Sequence, residues 1–98
     1  MTLPVVFRLA ARREFDDSAD WYEKRRVGLG EVFTSAVRDV LKTIASEPRR
    51  WGIVFEDIRE APVSGFPYYV YYREEESQFL VIAIFHASRD PGIWQSRA

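Results

Sequence analysis

Two neighbouring apolar runs constrain this chain more than anything else in it: FPYYVYYR, residues 66–73, and QFLVIAIFH, residues 78–86. In the first, Phe66, Tyr68, Val70 and Tyr72 would point to one side of a strand, and Tyr69 and Tyr71 to the other. Aromatic and β-branched side chains suit such a pleated, half-buried surface. Glu74, Glu75, Glu76 and Ser77 form a polar connection of the length that joins two strands in a β-hairpin. Phe79 to Phe85 is apolar on both faces, the pattern of a strand in the middle of a sheet. A chain with this hairpin has to cover it, and the preceding residues are patterned to do so.

Ala11 to Arg26 reads as a helix, because Ala11, Phe15, Ala19 and Tyr22 recur at helical spacing. Its other side carries Arg12, Arg13, Asp16, Asp17, Asp20, Glu23 and Lys24, the composition of a solvated face, and Trp21 sits at the stripe's edge. No good N-cap precedes Ala11. Gly28-Leu29-Gly30 then forces a reversal after the basic turn Lys24-Arg25-Arg26. Glu31 to Ser46 is a second helix with an apolar stripe of Leu29, Val32, Phe33, Ala36, Val37, Val40, Leu41 and Ile44, and Pro48 stops it. Pro4 to Leu9 predicts a short first strand and Ile53 to Ile58 a further one, followed by a turn at Pro62, Ser64 and Gly65. Near the C-terminus, Asp90-Pro91 has the form of an N-cap with proline at the first helical position, opening one helical turn through Trp94 and Arg97. The expectation is an α+β fold over 1–98 as a single domain: a strand, an antiparallel helical hairpin, a three-stranded antiparallel meander, and a short C-terminal helical turn.

The 98 residues suffice for an ordinary core, and a hydrophobic content of 47% excludes a disordered chain. The absence of cysteine removes disulfides and thiol catalysis and fits a cytoplasmic location. No signal-peptide h-region and no membrane-spanning run is visible. The net charge of −1 conceals an acidic segment, 53–76, with two basic and six acidic residues. That segment argues against a broad nucleic-acid surface, which needs clustered Lys and Arg.

No phosphate-binding glycine loop or serine elbow is present. One histidine and no cysteine make a metal site unexpected, and no cofactor is expected. The polar residues near the sheet hold the chemistry: Arg59, Arg73, His86, Ser88, Arg89 and Arg97, with Tyr69 and Tyr71. Metal-free RNA cleavage needs a base, an acid and cations for the developing phosphorane charge. His86 could serve as base or acid, and Arg59 and Arg89 could grip a phosphate. The same residues have plainer uses. A lone histidine at a strand end commonly hydrogen-bonds its neighbours, and Arg89 beside Asp90 could simply fix the tail.

A collinear set of motifs resembles a known family. It comprises Glu14-Phe15 and Trp21-Tyr22-Glu23, Gly28-Leu29-Gly30 with Phe33, Ile44…Pro48, Ile58-Arg59, the strand Phe66-Pro67-Tyr68…Val70…Tyr72, and the closing His86…Ser88-Arg89-Asp90-Pro91…Trp94…Arg97. Together these look like the ParE branch of the RelE/ParE toxin superfamily of bacterial toxin–antitoxin modules, used in plasmid stabilization and growth arrest. The resemblance implies a toxin neutralised by a cognate antitoxin, with operator DNA contacted only through that antitoxin. ParE-like members poison DNA gyrase, whereas RelE-like members cut mRNA on the ribosome with a basic, tyrosine-bearing site. This chain lacks the lysine-rich surface and terminal tyrosine of the latter, so a gyrase inhibitor without catalysis of its own is the expected reading. A ribonuclease using Arg59, His86 and Arg89 is the alternative. A toxin fold that has lost toxicity and serves as an antitoxin or operator-binding partner is a third. Residues expected to meet a target or partner are Arg59, Tyr69, Tyr71, Arg73, His86, Arg89, Trp94 and Arg97.

Overall fold

A computed structural model describes residues 2–98. The chain runs β1 (Val5–Phe7), α1 (Leu9–Arg25), α2 (Leu29–Ser46), β2 (Ile53–Phe55), β3 (Ile58–Pro62), β4 (Tyr68–Glu74), β5 (Phe79–His86) and α3 (Gly92–Gln95). The strands form one sheet in the order β1-β5-β4-β3-β2. β1 pairs with β5 in parallel, and the other neighbours are antiparallel. The architecture is the expected one with one strand more: the meander has four strands, because the Ile53–Ile58 run divides. Glu56 takes a left-handed backbone with φ of 51°, and the turn it makes with Asp57 folds Phe55 back against Ile58. Pro62 ends β3 rather than opening the next turn. Its missing N–H falls on the side facing β2, beyond the end of that short strand, where no ladder bond is lost.

Alternation along β4 sorts its side chains as the sequence predicts. Val70 and Tyr72 face the helices, and Tyr71 faces the opposite side. On β5 a bulge opposite Tyr71 and Tyr72 leaves Ile82 without a Cα partner, so Ile82 and Ala83 both join the side away from the helices. The larger core lies between sheet and helices, where Phe15, Phe33, Val37 and Ile44 meet Val70 and Tyr72. Val32 departs from its expected place in the α2 stripe and is 54% exposed. It sits at the edge of the apolar arc, and no element packs over it.

The two helices touch closely at Gly30, where an added Cβ would lie 2.7 Å from the Ala19 carbonyl oxygen. Glu23, expected on a solvated face, instead accepts hydrogen bonds from the backbone N–H of Gly28 (2.9 Å) and Gly30 (3.1 Å). It thereby caps the otherwise uncapped start of α2 from the neighbouring helix. Among the described residues no helix is long and apolar enough to cross a membrane.

Candidate functional site

The segment after β5 does two jobs with few residues. α3 lays Trp94 against the sheet face that the helices leave bare. The indole stacks on Tyr71 with ring centroids 3.9 Å apart and meets Phe55 edge to face at 5.9 Å. Trp94 is only 3% exposed, and its Nε1–H has no hydrogen-bond partner. Tyr71 donates its hydroxyl to Glu60 Oε2 at 2.8 Å. Burial first, then the Glu60 carboxylate, pushes the Tyr71 phenol well above its ordinary range. Tyr69 lies beside it, half-buried, with centroids 6.2 Å apart.

The second job centres on Glu14, a residue that composition alone leaves among the surface charges of α1. Arg97 grips its carboxylate with both terminal nitrogens, each at 3.0 Å, and Arg89 adds a third contact at 3.1 Å. Glu14 Oε1 also accepts the Ile84 N–H at 3.2 Å, while Arg97 donates to the Ile82 carbonyl at 3.1 Å. The placement has a backbone cause. β1 ends at Phe7, and the last bond on that side of β5 runs from the Arg8 N–H to the Val81 carbonyl. Past that point the edge of β5 has no strand beside it. The Glu14–Arg97 pair supplies the missing donor and acceptor there, as the next residues of a longer β1 would. Arg8 in turn donates from its side chain to the Arg97 carbonyl. The Glu14 and Arg97 side chains are 13% and 17% exposed, so this is a largely desolvated, bidentate pair.

The remaining candidate cations also meet partners within the chain. Arg59 donates to the Trp51 carbonyl at 2.7 Å on the helix side of the sheet. Next to it, burial raises the Tyr72 phenol, an effect the Arg59 guanidinium partly offsets, and Tyr72 donates to the Pro48 carbonyl at 2.7 Å. Arg73 pairs with Asp57 at 3.0 Å.

His86 lies at the other end of the sheet. Its Nδ1 accepts the Ser88 N–H at 3.0 Å, with Ser88 Oγ 2.8 Å away. The imidazole meets Tyr68 edge to face at 5.1 Å. Together with Arg89 it lines a recess of about 390 Å³ against Asp17, Trp21 and Tyr22 of α1. Of the trio Arg59, His86 and Arg89, the structure therefore brings only the last two together. Arg59 is paired with Tyr72 and His86 with Tyr68. Four residues of strand, about 13 Å, and two strand spacings separate them. Among the described residues no group of three or more His, Asp or Glu side chains could hold a metal ion.

A second and larger depression, about 650 Å³, runs along α2. Val32, Ala36 and Val40 line it together with Glu31, Asp39, Arg50 and Trp51.

No curated protein sequence matches the chain. A chain of the chromosomal ParDE TA system from P. aeruginosa shares its fold, with a TM-score of 0.69 at 12% identity, covering 88% of this chain and 97% of that one. Residues 5–91 match the family model described as ParE toxin of type II toxin-antitoxin system, parDE. From its first strand through the Arg89-Asp90-Pro91 motif, the chain belongs to the ParE toxin family of type II toxin–antitoxin systems.

Proposed function

We propose that this toxin acts by binding DNA gyrase and blocking supercoiling, and that a cognate antitoxin silences it by direct contact in the cytoplasm. The observation that carries the reading is the employment of the candidate cations. Arg59, Arg73, Arg89 and Arg97 each hold an internal acceptor. A nuclease must present such groups to a phosphate, and here a phosphate would have to displace Glu14, Asp57 or a carbonyl. Of the aromatic candidates, Tyr71 and Trp94 are buried against each other, which leaves the half-buried Tyr69 as the ring open to a protein contact. The depression along α2 is lined by apolar side chains and by charges of both signs, and it suits an amphipathic helix of the antitoxin.

The test is a supercoiling assay with the purified chain. Loss of supercoiling, or a trapped cleavage complex, is expected. Normal supercoiling at excess protein, with no trapped complex, would refute the target. The adjacency of His86 and Arg89 keeps ribosome-dependent mRNA cleavage as the second reading. Toeprinting on translating ribosomes decides it, since unchanged transcripts eliminate cleavage.

A further inference from the structure

The sheet ends at β2, and that edge is built unlike its counterpart. β1 is flanked by Pro4 and by Arg8, whose side chain turns back to the Arg97 carbonyl. Proline and charge both blunt an edge strand against pairing with another chain. From Trp51 to Phe55 the β2 edge carries neither. Ile53 and Val54 are 53% and 49% exposed. The backbone is open as well. The Gly52 carbonyl accepts the Glu60 N–H at 3.4 Å, and Ile53 is the Cα partner of Arg59. Alternation along an antiparallel ladder then turns the N–H and C=O of Ile53 away from β3, to the side where no strand lies.

A strand that fits this edge is β2 itself. The segment reads Arg49-Arg50-Trp51-Gly52-Ile53-Val54-Phe55-Glu56-Asp57: basic at one end, apolar in the middle, acidic at the other. A two-fold axis through Ile53 sets two copies antiparallel. The two Ile53 residues then exchange both N–H···O bonds, Gly52 of each copy faces Val54 of the other, and Arg50 faces Glu56. Parallel pairing of the same segments would set arginine beside arginine. Main-chain bonds and the apolar middle make the junction, and the charged flanks fix its direction. Glu56 takes part in no ion pair among the described residues. Arg50 has only exposed contacts, with Glu47 at 3.3 Å and over the Trp51 ring at 5.5 Å, which hold it weakly. Arg49 and Asp57 have partners in Glu74 and Arg73, so Arg50 with Glu56 is the ion pair that this register adds.

We propose that β2 is a self-association edge: two copies of this chain join through antiparallel β2 strands about a two-fold axis at Ile53, doubling the five-stranded sheet. The axis stands normal to the sheet, so both helical hairpins lie on the same face of the joined layer. Each copy contributes a strand of three residues, so the contact is small and the dimer is weakly held and exchanging. The inference stands apart from the identity of the toxin's target.

The test is sedimentation velocity of the purified chain, without antitoxin, as its concentration is raised through the micromolar range. A reversible shift from monomer to dimer is expected. Ile53→Pro should abolish it, because the N–H that proline removes faces outward and serves no bond to β3. Charge reversal at two exposed positions gives an independent check of the register. Arg50→Glu and Glu56→Arg should each weaken association by about three- to tenfold, and the double variant Arg50→Glu/Glu56→Arg, which rebuilds the pair with its signs exchanged, should restore it. A monomer at every concentration, species larger than a dimer, or undiminished dimer in Ile53→Pro would each overturn the proposal. So would a double variant as weak as the worse single one. If the chain stays monomeric while Ile53→Pro loses affinity for the antitoxin encoded beside the gene, the edge belongs to a foreign strand and the second copy is refuted.

Discussion

Replacing Glu14 by alanine should cost this protein a large part of its stability. The carboxylate receives two bonds from Arg97, one from Arg89 and one from the Ile84 N–H. Removing it leaves the Arg97 guanidinium in a site where only 17% of its side chain is exposed. Breaking one partner of a buried pair costs about 3–5 kcal/mol, and an orphaned backbone N–H falls within the same range of penalties. For a domain this size each kcal/mol lowers Tm by about 4–8 °C, so a fall of at least 12 °C is expected, to about the nearest few degrees. Urea unfolding at neutral pH and low salt gives the free energy directly. Arg97→Met alone should cost less, because Glu14 keeps Arg89 and the Ile84 N–H. The double variant Glu14→Ala/Arg97→Met should be less destabilised than the sum of the two, because neither charge is then stranded. Additive losses in that cycle, or a Tm shift of only a degree or two in Glu14→Ala, would refute the assignment of this pair as the closure of the β5 edge.

Other outcomes follow from the same coordinates. Phe33→Ala and Val37→Ala, at fully buried α2 positions, should each destabilise by about 2–5 kcal/mol in chemical denaturation. Gly30→Ala should lower Tm as well, since its Cβ would press on the Ala19 carbonyl and part the helices. Alkali should weaken the fold. Tyr71 has a folded-state pKa raised above the ordinary phenol value of 10.0, so its contribution is whole below that pH and is lost as pH rises further, when the unfolded phenol ionises first. Urea titrations on either side of that pH should show the decline, and Tyr71→Phe should flatten it. Induction of the chain without its antitoxin should arrest growth; unimpeded growth would favour the reading of a fold that has lost toxicity.

What could be read from residues alone was what repeats. Side-chain alternation in Tyr68–Tyr72 and the three-to-four spacing in Phe33–Ile44 survive unchanged into the structure, because burial of one face is decided locally and many times over. The features missed are single events. The division of Ile53–Ile58 hangs on one left-handed residue, Glu56, inside an apolar run. The one-residue slip at Ile82 leaves no mark in a strand whose neighbours are all apolar. Glu14 entered only through the Glu14-Phe15 motif, with nothing to separate its role from those of Asp16 and Asp17 on the same helix. The distinguishing signal was positional: Glu14 lies three residues after Ala11 and next to Phe15, against the apolar stripe, where a charge must find a partner. Its partners lay 70 to 83 residues away, beyond the reach of any periodicity. Of the candidate site residues, Arg89 and His86 could be grouped from the closing motif. That Arg59 is held at the far end of the sheet depends on strand register, which periodicity does not supply.

The closure of β5 by residues 14 and 97 has a temporal side. In a folding chain the sheet can assemble before α3 docks and delivers Arg97. Until then the rim past Val81 stands open, with Ile84 lacking a full acceptor environment and Glu14 lacking its main counter-charge. A folding chain would be exposed to strand pairing with foreign segments during that interval, and the docking of α3 with Arg97 seals it.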